Sequence, residues 1–185
     1  MFTLPSGSKV PEGFNDEYPI VLEGTSVYDF RQLLRAMFCR PDIPGILSCA
    51  PPPTTFREWT SVLRLTHRWE MSALHLHARK SIAKLDGVDA VNRLSLALTY
   101  DIEDWIHPAL ADIIRREEPL ARRHVDVLGV DMVLKLARAR EHVAGYFGSC
   151  AKAPPNHHFF RLVSEVFPEY FFESTRQKII DHAIV

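Results

Sequence analysis

Apolar residues recur at helical intervals through most of this chain. In PIVLEGTSVYDFRQLLRAMF (19–38), Val27, Phe30, Leu34, Met37 and Phe38 share one face of a helix with 3.6 residues per turn. The opposite face carries Tyr28, Arg31, Gln32 and Arg35, a polar surface that could meet a partner. Ser26 is placed to cap this helix, and Asp29 adds negative charge to its first turn. A short strand, Ile20–Glu23, is expected before the Gly24 turn.

Thr55-x-x-Glu58 is a capping box that opens a second helix, with Trp59, Val62, Leu63, Thr66 and Trp69 on one side. Met71, Leu74, Ala78, Ile82 and Leu85 continue as a third, punctuated by Asp86-Gly87. Val91, Leu94 and Leu98 mark a fourth. Asp104 is the expected cap of a fifth, with Trp105, Ile106, Leu110, Ile113 and Ile114 inside, Pro108 tolerated in its first turn, and Pro119 as its stop. Gly129 closes a short helical turn, and Asp131–His142 forms another amphipathic helix through Val133, Leu134 and Ala137. Phe159, Val163, Val166 and Phe167 lie at helical spacing before Pro168, and Gln177–Val185 reads as a last short helix.

Between these elements lie the Gly, Ser and Pro loop 5–15, the proline-rich stretch 40–54 and a linker over 148–156. The predicted architecture is mainly α, with one short strand. Its predicted divisions are 1–85, a helical extension over 86–147, and a linker with a helical tail over 148–185. Phe30, Leu34, Trp59, Leu63, Trp69 and Trp105 are the expected core, the three tryptophans because their neighbours are apolar.

Composition changes this picture little. The chain has 185 residues, 46% hydrophobic and 24% charged, with a formal net charge of −1 that supplies no field to attract nucleic acid or anionic lipid. No apolar run is long enough to span a bilayer, and no signal-peptide core follows Met1. Cys39, Cys49 and Cys150 are scattered and odd in number, which fits reduced thiols better than a disulfide framework.

Chemistry-bearing patterns are missing from the sequence. His75 and His77 are two apart, and His157 and His158 are adjacent, so neither pair presents two ligands on one helical face. No H-E-x-x-H, C-x-x-C, G-x-S-x-G or glycine-rich phosphate loop occurs. Glu117-Glu118 reads as a solvated helix end ahead of Pro119. Arg115-Arg116 with Arg122-Arg123, interrupted by those glutamates, reads as a solvated face, as do Arg138 and Arg140. No catalytic residue, cofactor or metal is expected.

The blocks PIVLEGTSVYDFRQLLRAMF and FREWTSVLRLTHRWEM, followed by LALTYDIEDWIHPAL, REEPL and LGVDMVLKLARARE, occur in an order that resembles a BTB/POZ-domain protein. The likeness is to the type found in mushroom-forming fungi and covers roughly Met1 to Glu141. It implies the back half of a BTB/POZ fold followed by a helical extension. It also implies a non-enzymatic adaptor that binds other proteins; the reduced thiols point to the cytoplasm or nucleus rather than outside the cell. The family's opening β-hairpin and helix hairpin would lie upstream of Met1. Their absence predicts an open strand edge, uncovered apolar groups such as Phe2, Ile20 and Leu22, and self-association. Cullin-binding members usually carry a hydrophobic-x-Glu motif in the loop after the first helix. Here that loop reads Cys39-Arg40-Pro41-Asp42-Ile43-Pro44-Gly45, so cullin docking is not expected. Two other readings remain: a truncated or decaying gene product with no stand-alone function, and a small helical nucleic-acid-associated or metal-binding protein.

Overall fold

The structure, a computed structural model, describes residues 12–38, 51–149 and 156–170. Among them are eight α-helices: α1 (Val27–Phe38), α2 (Phe56–Arg68), α3 (Ser72–Ala83), α4 (Ala90–Thr99), α5 (Glu103–Arg115), α6 (Arg122–Leu128), α7 (Val130–Ser149) and α8 (Asn156–Val166). A 3-10 turn follows at Pro168–Tyr170. The chain is mainly helical, as its periodicity predicts. It divides into two compact units, Met1–Asp86 and Gly87–Val185.

In the first unit α2 lies between α1 and α3, packing on both. That central position buries residues around much of α2, including Trp59, Val62, Leu63, Leu65 and Thr66. Its start is the anticipated capping box. Thr55 Oγ1 accepts from the N–H of Glu58 at 3.3 Å, and Glu58 Oε2 accepts from the N–H of Thr55 at 3.0 Å. From α3, Ala78 and Ile82 complete the core.

In the second unit α4 packs on α5, α5 on α7 and α7 on α8, while α6 touches α4 and α7. Phe159, Val163, Val166 and Phe167 are all buried, so the aromatic stripe of α8 faces inward. Pro168 stands two residues beyond Val166, the last residue of α8, and its missing N–H and fixed φ keep the helix from continuing. Gly129, which closes α6, has φ 81° and ψ 160°. That region is open to glycine and strained for other residues. Gly129→Ala should therefore lower stability by about 1–3 kcal/mol, read as a shift in the urea midpoint, although its Cβ would meet no neighbour.

Several sequence expectations are corrected. No strand occurs among the described residues. Ile20, Val21 and Leu22 are exposed in irregular backbone, because β-branched residues alone do not make a strand without a ladder partner. Asp104 is the second residue of α5, not its cap; Ile102 occupies that position, with no side-chain capping bond. Pro108 is the sixth residue of α5 and lies beyond its first turn, so it forfeits the bond to the carbonyl of Asp104. Among the described side chains of α7 the buried ones are Leu136, Ala139 and Val143, while Leu134 is exposed. Gly148 and Ser149 belong to α7, and Asn156 opens α8. Phe2, the three cysteines, the loop after α1 and the expected helix 177–185 lie outside the described residues.

Candidate functional site

The informative region is α1, whose inward face differs from the expected one. Ser26 Oγ accepts from the N–H of Asp29 at 3.0 Å, so the helix begins where the sequence predicts. Its buried positions are then Asp29, Gln32 and Leu33. Leu33 is 2% exposed, whereas Leu34, expected in the core, is 38% exposed. Val27 is 75% exposed and Phe38 49%, and Met37 is also open. The apolar stripe of α1 faces outward. Phe30, on its edge, is half-buried and meets the half-buried Trp69 edge to face at 6.1 Å between ring centroids.

A polar latch causes the difference. Arg35, assigned by sequence to the outer face, turns toward α2. Its Nη1 donates to Glu58 Oε1 at 2.6 Å and to Gln32 Oε1. Its Nε donates to the carbonyl of Pro51 at 2.6 Å, and its Nη2 to that of Pro52 at 3.1 Å. Pro51 and Pro52 have no N–H, so their carbonyls are the only backbone groups by which this stretch can be gripped. A planar guanidinium with five donors suits the task. Burial pushes the Glu58 carboxyl up. The N–H of Thr54, the Arg35 guanidinium and the N–H of Thr55 outweigh it and hold the group at about 2.

A second polar contact closes the other end of α1. Asp29 Oδ2 lies 3.1 Å from Arg64 Nη1. Burial raises the Asp29 carboxyl, but the hydroxyls of Ser61 and Ser26 and the charge of Arg64 bring it below its ordinary value. This pair lines a mixed polar and apolar cleft of about 500 Å³, together with Ser26, Tyr28, Phe56 and Arg57. The Arg57 guanidinium lies 5.0 Å from the centroid of the Tyr28 ring. Arg68 reaches back to the carbonyls of Glu23 and Gly24 at 2.9 and 3.0 Å, tethering the segment that leads into α1.

Of the four residues expected on a partner surface, the structure leaves Tyr28 and Arg31 outward and turns Gln32 and Arg35 inward. Their polarity serves α1–α2 docking, so they are withdrawn from the candidate surface. The surface instead consists of Val27, Leu34, Met37 and Phe38, with Arg31 beside them. Of the expected core, Trp59, Leu63 and Trp105 are buried, Phe30 and Trp69 are half-buried, and Leu34 is outside.

The arginines of the second unit hold structure together. Arg115 stacks on Phe159 with its guanidinium 4.0 Å from the ring centroid. Arg116 pairs with Asp89 at 3.4 Å. Arg140 donates to the carbonyl of Arg116, the C-cap of α5, at 2.9 Å and to that of Glu118 in the following turn at 2.7 Å.

The histidines of α3 reach α2 individually. The His77 ring meets Trp59 at 5.4 Å, and His75 lies 5.8 Å from the His67 ring. Among the described residues no group of three or more His, Cys, Asp or Glu could hold a metal, and no helix is long and apolar enough to cross a membrane. No protein-family model matches the chain, and neither a curated protein nor a solved structure matches it.

Proposed function

We propose that this chain is a non-enzymatic protein–protein interaction module, BTB/POZ-like in its first part and followed by a helical extension. Its work is to bind another polypeptide within the cytoplasm or nucleus, without a cofactor. The supporting observation is the outward apolar stripe of α1: Val27, Leu34, Met37 and Phe38 are large and exposed on one helix. Four such residues grouped on one element form a patch of the kind that marks docking surfaces. A helix presenting anchors at spacings of three, four and seven residues suits a groove or a second helix face.

Sedimentation velocity of the full chain over a wide concentration range tests the reading. The wild-type chain should associate in a concentration-dependent way. The double variant Val27→Glu/Leu34→Glu should remain monomeric at the same concentrations, with its thermal midpoint retained, because neither side chain is in the core. A cooperative, concentration-independent monomer left unchanged by the double substitution would overturn it.

A further inference from the structure

We propose that His124 is a proton-sensitive latch for α6, closed while its imidazole is neutral and released when the ring takes a second proton. α6 has seven residues, too few for a helix to persist by itself, so its anchoring decides whether it forms. Its cap residue is Ala121, which has no side-chain oxygen to offer. The N–H of Ala121 instead donates to His124 Nδ1 at 2.9 Å. His124 thus occupies the third helical position and plays the part that Glu or Gln plays in a capping box. A neutral imidazole has one in-plane lone pair, for which the N–H of Ala121 at Nδ1 and the N–H of Arg123 Nε, 3.2 Å from Nε2, compete. The shorter bond to Ala121 takes it at Nδ1, which places the ring proton on Nε2 and leaves Arg123 without that acceptor.

Protonation removes that lone pair. The new N–H at Nδ1 would then face the N–H of Ala121, and Arg116 Nη2 stands 3.4 Å from the same nitrogen. Arg123 Nε lies 3.2 Å from Nε2. The residue is 2% exposed, so an imidazolium here loses most of its water. From the cap of α4, Asp89 favours the cation but is already paired with Arg116. From the end of α5, Glu118 also favours it and Arg116 opposes it. From α7, Arg140 grips the carbonyls of Arg116 and Glu118, adding a third guanidinium to this region. Burial and the Arg116 and Arg123 charges prevail and push the ring below its ordinary 6.5.

The sign follows from that direction. A histidine more acidic in the folded chain stabilises fully above pH 6.5, where both states are neutral. The stabilisation is lost as pH falls below 6.5 toward the lower folded value. Within that window the closed-to-open ratio drops up to about tenfold per pH unit. The helix released sits against α4 and α7, so acid would uncover both.

The test compares the full chain with His124→Gln, whose amide oxygen can accept the Ala121 N–H but cannot titrate. Histidine ring nitrogen shifts in the wild type should report an acceptor Nδ1 and a ring mainly neutral at pH 6.5. Amide protection of α6 should fall between pH 6.5 and 5.5 by up to about tenfold in the wild type, and the His124→Gln chain should lose that extra fall. Every other histidine is common to the two chains, so the difference isolates this one. A ring that titrates at 6.5 or above, a protonated Nδ1 at neutral pH, or an unchanged pH slope in His124→Gln would overturn the proposal. The ring shifts decide the matter in the wild type even if the variant does not fold.

Discussion

Leu33→Ala should destabilise the first unit by about 2–5 kcal/mol, while the same change at the next residue, Leu34→Ala, should fall below about 1 kcal/mol. The two positions have the same chemistry and adjoin in the chain, so propensity differences cancel. They differ in what surrounds them: Leu33 is 2% exposed on the α2 side of α1, and Leu34 is 38% exposed on the other side. Truncating the first leaves a cavity between packed helices, whereas truncating the second removes surface already wet. Urea denaturation of the two variants reads the difference directly. Equal losses, or the larger loss at Leu34, would mean that α1 is rotated about its axis.

The second large effect is expected at the Arg35–Glu58 latch. Glu58→Gln should cost about 2–3 kcal/mol at pH 7, because it leaves the Arg35 guanidinium without its counter-charge and weakens the cap of α2. The partners keep side-chain exposures of 15% and 16%, which places the effect below that of a fully buried pair. The latch also predicts an acid response. The Glu58 carboxyl is lowered from 4.5 to about 2 in the folded chain, so its stabilisation is complete above pH 4.5 and lost as pH falls toward 2. Asp29, also lowered, adds in the same direction. Denaturation midpoints of the first unit should decline over that interval, and Glu58→Gln should flatten the decline. A parallel decline in the variant would show that Glu58 is not the titrating group.

Much of the fold was legible because its signals are local. Thr55 and Glu58 satisfy each other within one turn, and Phe159, Val163 and Val166 form a stripe on a single helix that Phe167 continues just past its end. The direction in which α1 faces was not legible. Periodicity identifies an apolar stripe but not what it faces, and an apolar stripe is ordinarily turned inward. Here the inward face is fixed by Arg35, whose acceptors at Pro51 and Pro52 lie 16 and 17 residues away. No window of helical length contains both ends of that contact. The Ile20–Glu23 expectation failed for a related reason: its residues favour a strand, but the ladder partner a strand needs is not found among the described residues. In α7 the helix starts at Val130, and counting inward from Val133 and Leu134 missed the buried Leu136, Ala139 and Val143. The α6 cap could have been found, since Ala121-x-x-His124 has capping-box spacing with a histidine as the reciprocal acceptor.

α1 turns Asp29, Gln32, Leu33 and Arg35 toward α2 and leaves Val27, Leu34, Met37 and Phe38 outward, the face proposed to meet a partner. Hydroxyl-radical footprinting resolved to single residues tests this arrangement most directly, on the full chain at high dilution and again when concentrated. The account predicts that Leu34 and Phe38 oxidise readily at high dilution while Leu33 is protected, and that Leu34 and Phe38 become protected on concentration. Protection of Leu34 together with reactivity of Leu33 at high dilution would contradict it.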